Sequence, residues 1–400
     1  MMPSMLEVYP FWAATYVIFL YAVIFMFANL LSKIQIVSEH ITFPEGRYGS
    51  LDGFRGILAV GVFIHHSFAA YGYFMTGTWD WSQSILLNHL GRTTVALFFM
   101  ITGFLFALRV TSPKIDWKVF YISRFARLFP LYFIVCCAVF IMVFFISQGV
   151  MNEPWWLILL EALQWLSFVC FGRPDINGIP MTWTLIAGVN WSLKYEIIFY
   201  AFGVPALYML TKIFSLRLLL TMSILALIGL LLLRLFHLGG KEIVCASEFL
   251  AGIVVAYIYK APRLLAMLKT KMFRIFTYVS IPLVFLIEKP FGLSSSLMAL
   301  TIFPAIVGGL SMGGLLNSRA ALWLGDISYG IYLIHGMALW VLFFVVKKYG
   351  NLVGLDIFGY VLLVSVAAIL IIAFATLSYI KVEKPAIFFA KNLNKKYTYN

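Results

Sequence analysis

The chain is 400 residues long, 63% hydrophobic and only 11% charged, with a formal net charge of +13 and a mean hydropathy of +0.97. An ordinary soluble domain carries about 25% charged residues, and no polar stretch here is long enough to build one, which excludes a soluble enzyme and a nucleic-acid-binding module. The chain reads as an integral membrane protein, with anionic lipid headgroups as the natural partners of its positive charge.

Apolar runs long enough to cross a bilayer as helices fall near residues 10–32, 54–74, 91–110, 126–148, 191–211, 216–236, 243–260, 273–288, 296–316, 327–347 and 356–380. That makes about eleven spans. The runs are continuously apolar rather than alternating, which rules out a β-barrel and leaves an all-α polytopic transmembrane helical bundle. The first run has no basic residue ahead of it and no small-residue cleavage site after it, so it is expected to remain as an anchor. The stretch from Pro154 to Phe171 contains Glu161 and is rich in Trp, which favours an interfacial or re-entrant helix over a further span. The run GGLSMGG, Gly308 to Gly314, is expected to form a small-residue packing face, and Pro205, Pro282 and Pro304 are expected to kink their helices.

With an odd number of spans, most of the 29 basic residues fall on one side. They include Lys33, Arg47 and Arg55, the Arg109–Arg127 group, the Lys260–Arg274 loop and the lysines from Lys381 onward. The other side keeps only Arg92, Arg173, Lys194, Arg234, Lys241, Lys289, Lys347 and Lys348. The positive-inside rule then puts the amino terminus outside and the carboxyl terminus in the cytoplasm. The four cysteines, Cys136, Cys137, Cys170 and Cys245, lack metal-ligand spacing, and no metal site is expected.

Arg55 and His66 are separated by ten residues in LDGFRGILAVGVFIHH. On a helix they share a face about three turns, or roughly 16 Å, apart, which puts a cation at one membrane surface and an imidazole near mid-bilayer. Ionisable groups at that depth are expensive and seldom lack a task. A neutral imidazole in a low-dielectric site can take a proton from a hydroxyl as it attacks a carbonyl, or can itself be acylated. The plain alternative is a histidine that bridges two helices. His65 points about 100° away from His66; His66 is preferred because it keeps the ten-residue spacing, with His65 as the alternative. Arg55 can clamp a phosphate or carboxylate in a bidentate way, and Asp52 is expected to cap the helix start or pair with Arg55.

Further along, Arg124 and Arg127 share a helix face ahead of a long apolar run, where membrane anchoring explains such a pair equally well. Ser192 and Glu196 lie at i and i+4 beside Trp191, inside the outer end of their span. They could meet hydroxyl groups or serve stability alone, and Trp183 and Trp191 offer aromatic faces to a sugar ring. Asp175 and Asn177 fit turn chemistry. Ser328, Tyr329 and His335 read as a packed polar seam, and Glu383 as a cap or salt-bridge partner.

In order, LDGFRGILAVGVFIHH, GRTTVALFFMITGF, SRFARLFPLY, WSLKYEIIFY, FLAGIVVAY and LGDISYGIYLIH resemble the acyltransferase-3 family of membrane O-acyltransferases, from about Leu51 to Pro385. The resemblance implies an acyltransferase domain over residues 51–385, followed by a short basic tail over 386–400; the chain departs from the family's usual ten-span core by an added helix and linker over 1–50, and from some members by having no SGNH-type hydrolase domain after the core. The resemblance implies acyl-CoA, most simply acetyl-CoA, as donor substrate, with no permanently bound cofactor. The acceptor would be a hydroxyl of a saccharide or cell-envelope glycan, and the setting a bacterial inner membrane. It casts His66, Arg55 and Glu196 as catalytic, Arg124 and Arg127 as contacts to CoA phosphates, and Trp191 and Ser192 as acceptor contacts. The competing class is a transporter or flippase, since buried Arg, His and Glu also mark substrate and proton paths. The R-x10-H block has no counterpart in the second half, as inverted repeats would require.

Overall fold

The structure, a computed structural model, describes residues 9–41, 49–80, 82–111, 114–284 and 292–398. Arg47, Lys289 and the end of the run expected at 273–288 lie outside them. The described residues form helices joined by turns, and their one β-type pairing is the isolated bridge between Ile176 and Ile179.

Nine helices among the described residues are long and apolar enough to cross a membrane. They begin with α1 (Pro10–Leu31), α2 (Gly49–Thr76), α3 (Ile85–Val110) and α4 (Trp117–Ile146). The short helix α5 (Trp155–Leu166) has 12 residues, too few to span. Next come α6 (Asn190–Ile213), α7 (Leu216–Leu235) and α8 (Lys241–Tyr259). The runs expected at 273–288 and 296–316 yield shorter described helices, α9 (Lys271–Val284) and α10 (Leu293–Val307), of 14 and 15 residues. A two-turn helix, α11 (Arg319–Asp326), leads into α12 (Ser328–Tyr349). The last helix, α13, runs from Ile357 to Ser378, through a π-helical turn at Tyr379–Glu383, and on over Lys384–Thr398.

The GGLSMGG segment is a turn rather than a packing face. Gly309, Gly313 and Gly314 have φ of +96°, +67° and +91°, a left-handed conformation that glycine enters without strain and that ends α10 at Val307. Close helix approach falls to other glycines. A Cβ on Gly103 of α3 would lie 2.1 Å from the Phe249 carbonyl oxygen, and one on Gly252 of α8 would lie 2.0 Å from that of Met100, so these helices meet backbone to backbone. In the same way a Cβ on Gly325 would lie 2.1 Å from the Asp52 carbonyl oxygen, which draws the first turns of α2 against the end of α11.

Asp52 stands inside α2, which is already helical at Gly49, so it is not an N-cap; its carboxylate pairs with Arg55 at 3.9 Å. The added helix α1 is fastened to α2 at two heights. Tyr16 Oη and Ser67 Oγ are 2.9 Å apart, and Tyr21 Oη donates to the Ile57 carbonyl at 2.9 Å. The R-x10-H helix is therefore tied to α1 and packed against α3, α11 and α12.

Between α5 and α6 the chain turns back into the bundle. Phe168, Val169, Asn177, Met181 and Ala187 all adopt positive φ, and such backbone persists where its polar groups find partners. Trp165 Nε1 donates to the Pro174 carbonyl, Asp175 Oδ1 accepts from Thr182 N, and the buried Glu161 carboxylate accepts from Asn177 N at 3.0 Å. Burial holds the Glu161 carboxyl above the ordinary carboxylate range in spite of that bond. The loop ends against α12, where a Cβ on Gly336 would lie 2.2 Å from the Ile186 carbonyl carbon. Here α6 starts, at the level of His335 and well inside the bundle.

Candidate active site

Because α6 starts that deep, Ser192 and Glu196 do not sit together near an outer surface. They line a cavity of about 350 Å³ with Arg55, Arg124 and Arg127. Glu196, expected on the side opposite Arg55, thus faces the three guanidinium groups, and it accepts a hydrogen bond from Tyr200 Oη on the π-helical turn Phe199–Gly203. Further up, Ser192 Oγ and Tyr332 Oη are 2.7 Å apart, and Tyr332 Oη also donates to the Val189 carbonyl at 2.9 Å.

Each arginine is held differently. Arg55 pairs with Asp52. Arg124 lies over the Phe106 ring, 5.4 Å from its centroid. Arg127 pairs at 3.6 Å with Glu383, a carboxylate only 1% exposed on the second π-helical turn. Asp326, Tyr329 and Tyr379 complete this end of the cavity. Three guanidinium groups thus converge on a cavity lined by Glu196 and Asp326, with Asp52 and Glu383 paired to two of them. Planar donors so arranged suit a multiply charged oxyanion such as a phosphate.

His66 is not on that lining. It lies behind Tyr332 and His335, whose rings are 6.2 Å apart. His66 Nδ1 is 2.9 Å from His335 Nε2, with ring centroids 5.0 Å apart and planes 22° from parallel, so the two rings meet edge to edge, while His335 Nδ1 donates to the Ile331 carbonyl at 2.9 Å. His65 is turned to α3. Its Nδ1 donates to the Leu87 carbonyl at 2.8 Å, and its ring occupies the space that a Cβ on Gly91 would take. His65 is buried, whereas His66 keeps partial exposure.

The exposed side of His66 opens on aromatic rings. Trp79 is 6.1 Å from it, Trp183 is 5.5 Å from Trp79, and the Arg173 guanidinium lies 4.9 Å over Trp183. The re-entrant loop thus brings Trp183 to the histidine. Trp191 goes elsewhere, against Phe99 at 6.2 Å and under Lys241 at 5.9 Å, because α6 turns that face toward α3 and α8.

The family model of the acyltransferase domain of the acyltransferase-3 family matches residues 48–380. The chain belongs to this family. It is an integral, multi-pass membrane acyltransferase, and family membership carries acyl transfer over the transport alternative. No curated protein and no solved structure matches the chain. Tyr200, Asp326 and Tyr332 lie at this acyltransferase's centre without having been singled out as site residues, together with Tyr329 and His335, which the sequence offers as a packed polar seam. Four of them fall in GDISYGIYLIH, where Tyr329, Tyr332 and His335 at helical spacing were the only signal.

Proposed function

We propose that the protein moves an acyl group, most simply acetyl, from cytoplasmic acyl-CoA to a hydroxyl of a saccharide or cell-envelope glycan, working in a bacterial inner membrane. The observation that carries this reading is the convergence of Arg55, Arg124 and Arg127 on one cavity, at the opposite end of the α2 face from a histidine walled by Trp79 and Trp183. In this reading Arg124 and Arg127 hold the donor's phosphates, and Arg55 orients the donor nearer the chemistry. Ser192 and Glu196 set the path of the thioester arm. His66 removes the proton of the acceptor hydroxyl as it attacks the thioester carbonyl. The rings of Trp79 and Trp183 offer a platform for a sugar, a role taken over from Trp191.

The test is CoA thiol release from acetyl-CoA by purified protein, with and without a panel of mono- and oligosaccharides. Glycan-dependent release that disappears in His66→Ala is expected. Release that persists in His66→Ala and vanishes in His65→Ala would move the base by one residue, and no release with any saccharide would sink the acceptor assignment. The orientation is tested by tags. A tag after Asn400 should be reached only from the cytoplasmic side and one before Met1 only from outside.

A further inference from the structure

We infer that His335 is a positioning residue that fixes the tautomer of His66 and shares the charge His66 acquires. This rests on the reading of His66 as the base. The deduction starts from a group with no choice. The Ile331 carbonyl can only accept, so His335 Nδ1, 2.9 Å from it, carries a hydrogen. In a neutral ring His335 Nε2 is then the lone-pair nitrogen. His66 Nδ1, 2.9 Å away, must therefore be the donor. With Nδ1 protonated, the lone pair of His66 is on Nε2. Were the tautomer reversed, His66 would have no basic nitrogen on the side away from His335.

The proton balance follows from this chain. The acceptor hydroxyl gives its proton to His66 Nε2 as its oxygen bonds to the thioester carbonyl carbon. The C–S bond then breaks, and the departing thiolate takes the proton back from His66 Nε2. In the interval His66 is a cation, and its Nδ1–H can shift toward His335 Nε2, which spreads the charge over two hydrogen-bonded rings backed by the Ile331 carbonyl dipole. His335 does this at 0% exposure and without touching either substrate.

Two measurements test the role. In protein labelled with ¹⁵N-histidine, with His66→Ala to assign the signal, solid-state NMR should show His66 protonated at Nδ1, and His335→Ala should erase that preference. A His66 protonated at Nε2 in the native protein would overturn the proposal with no assay of activity. In acetyl-CoA turnover with the best saccharide of the panel, His335→Ala should lower kcat about 100-fold or more, within the range of general-base effects, and leave the KM for acetyl-CoA unchanged. His335→Gln places an amide oxygen near the position of Nε2 and should recover part of that loss, whereas His335→Asn, which reaches only the Nδ1 position, should not. In a His66→Ala background His335→Ala should cost nothing further. Equal activity of Ala, Gln and Asn variants beside an inactive His66→Ala would leave the base standing and remove His335 from the mechanism. An active His66→Ala would instead remove the base.

Discussion

The two ends of the shared face of α2 solve the problem of polarity inside a membrane protein in different ways. At the Arg55 end, charges face charges. Arg55 has Asp52, Arg127 has Glu383, and Glu196 faces all three arginines of the cavity. At the His66 end, neutral rings pass hydrogen bonds in line from His66 to His335 to a backbone carbonyl. The charged end can exchange one anion for another, which suits a binding site. The neutral end holds one nitrogen ready for a proton, which suits chemistry. Damage to the two ends should therefore show up in different kinetic constants.

The largest expected effect is at the neutral end. His66→Ala should lower kcat by about 10²-fold to 10⁴-fold, while acetyl-CoA binding, measured by calorimetry, stays within a factor of two or so of native. Loss of donor binding in this variant would break the distinction between the ends. At the charged end the pattern reverses. Arg124→Ala and Arg127→Ala should each raise the KM for acetyl-CoA about 10-fold or more, the weight of a charge-assisted hydrogen bond. Arg55→Lys, which keeps the charge and loses the planar fork, should do the same or stop turnover. Unchanged donor affinity in all three would make these arginines membrane anchors only.

A smaller change would sharpen the comparison through the re-entrant loop. Alanine normally suits a helix better than glycine. A Cβ at Gly336, however, would lie 2.2 Å from the Ile186 carbonyl carbon, so Gly336→Ala should push the Trp183 loop away, raise the KM for the saccharide several-fold and spare the KM for acetyl-CoA. An effect on acetyl-CoA alone would contradict the assignment of Trp183 to the acceptor side.

The smallest effect concerns the loop's anchor. The Glu161 carboxyl titrates above its ordinary value, so its contribution to stability is complete below that value and is lost as pH rises through the raised one. Glu161→Gln, which still offers an oxygen to Asn177 N, should melt no lower than native protein at pH 7 and converge with it near pH 4. A variant that melts well below native at pH 7 would show that the ionised carboxylate is what the loop requires.

Sequence alone determined the class of the molecule, because membrane insertion depends on the length and apolarity of local runs, and these are additive along the chain. It also placed Arg55 and His66 on one face and separated His65 from His66, since helical geometry is local. The short helix at Trp155–Leu166 was legible for the same reason. The depth at which α6 begins was not. The span near 191–211 looked continuous with an outer surface, and only the docking of Ile186 on Gly336 showed that Ser192 and Glu196 start inside the bundle. Glycine roles were likewise set by contact. In GGLSMGG, Gly309, Gly313 and Gly314 turn in open space, while Gly103 and Gly252 bring two helices into backbone contact. The π-helical turns carrying Tyr200 and Glu383 leave no mark in the hydrophobic pattern. The pairing of His66 with His335 spans 269 residues. No local rule reaches that far, so only the packing of α2 against α12 could decide which imidazole has a partner and which nitrogen keeps its lone pair.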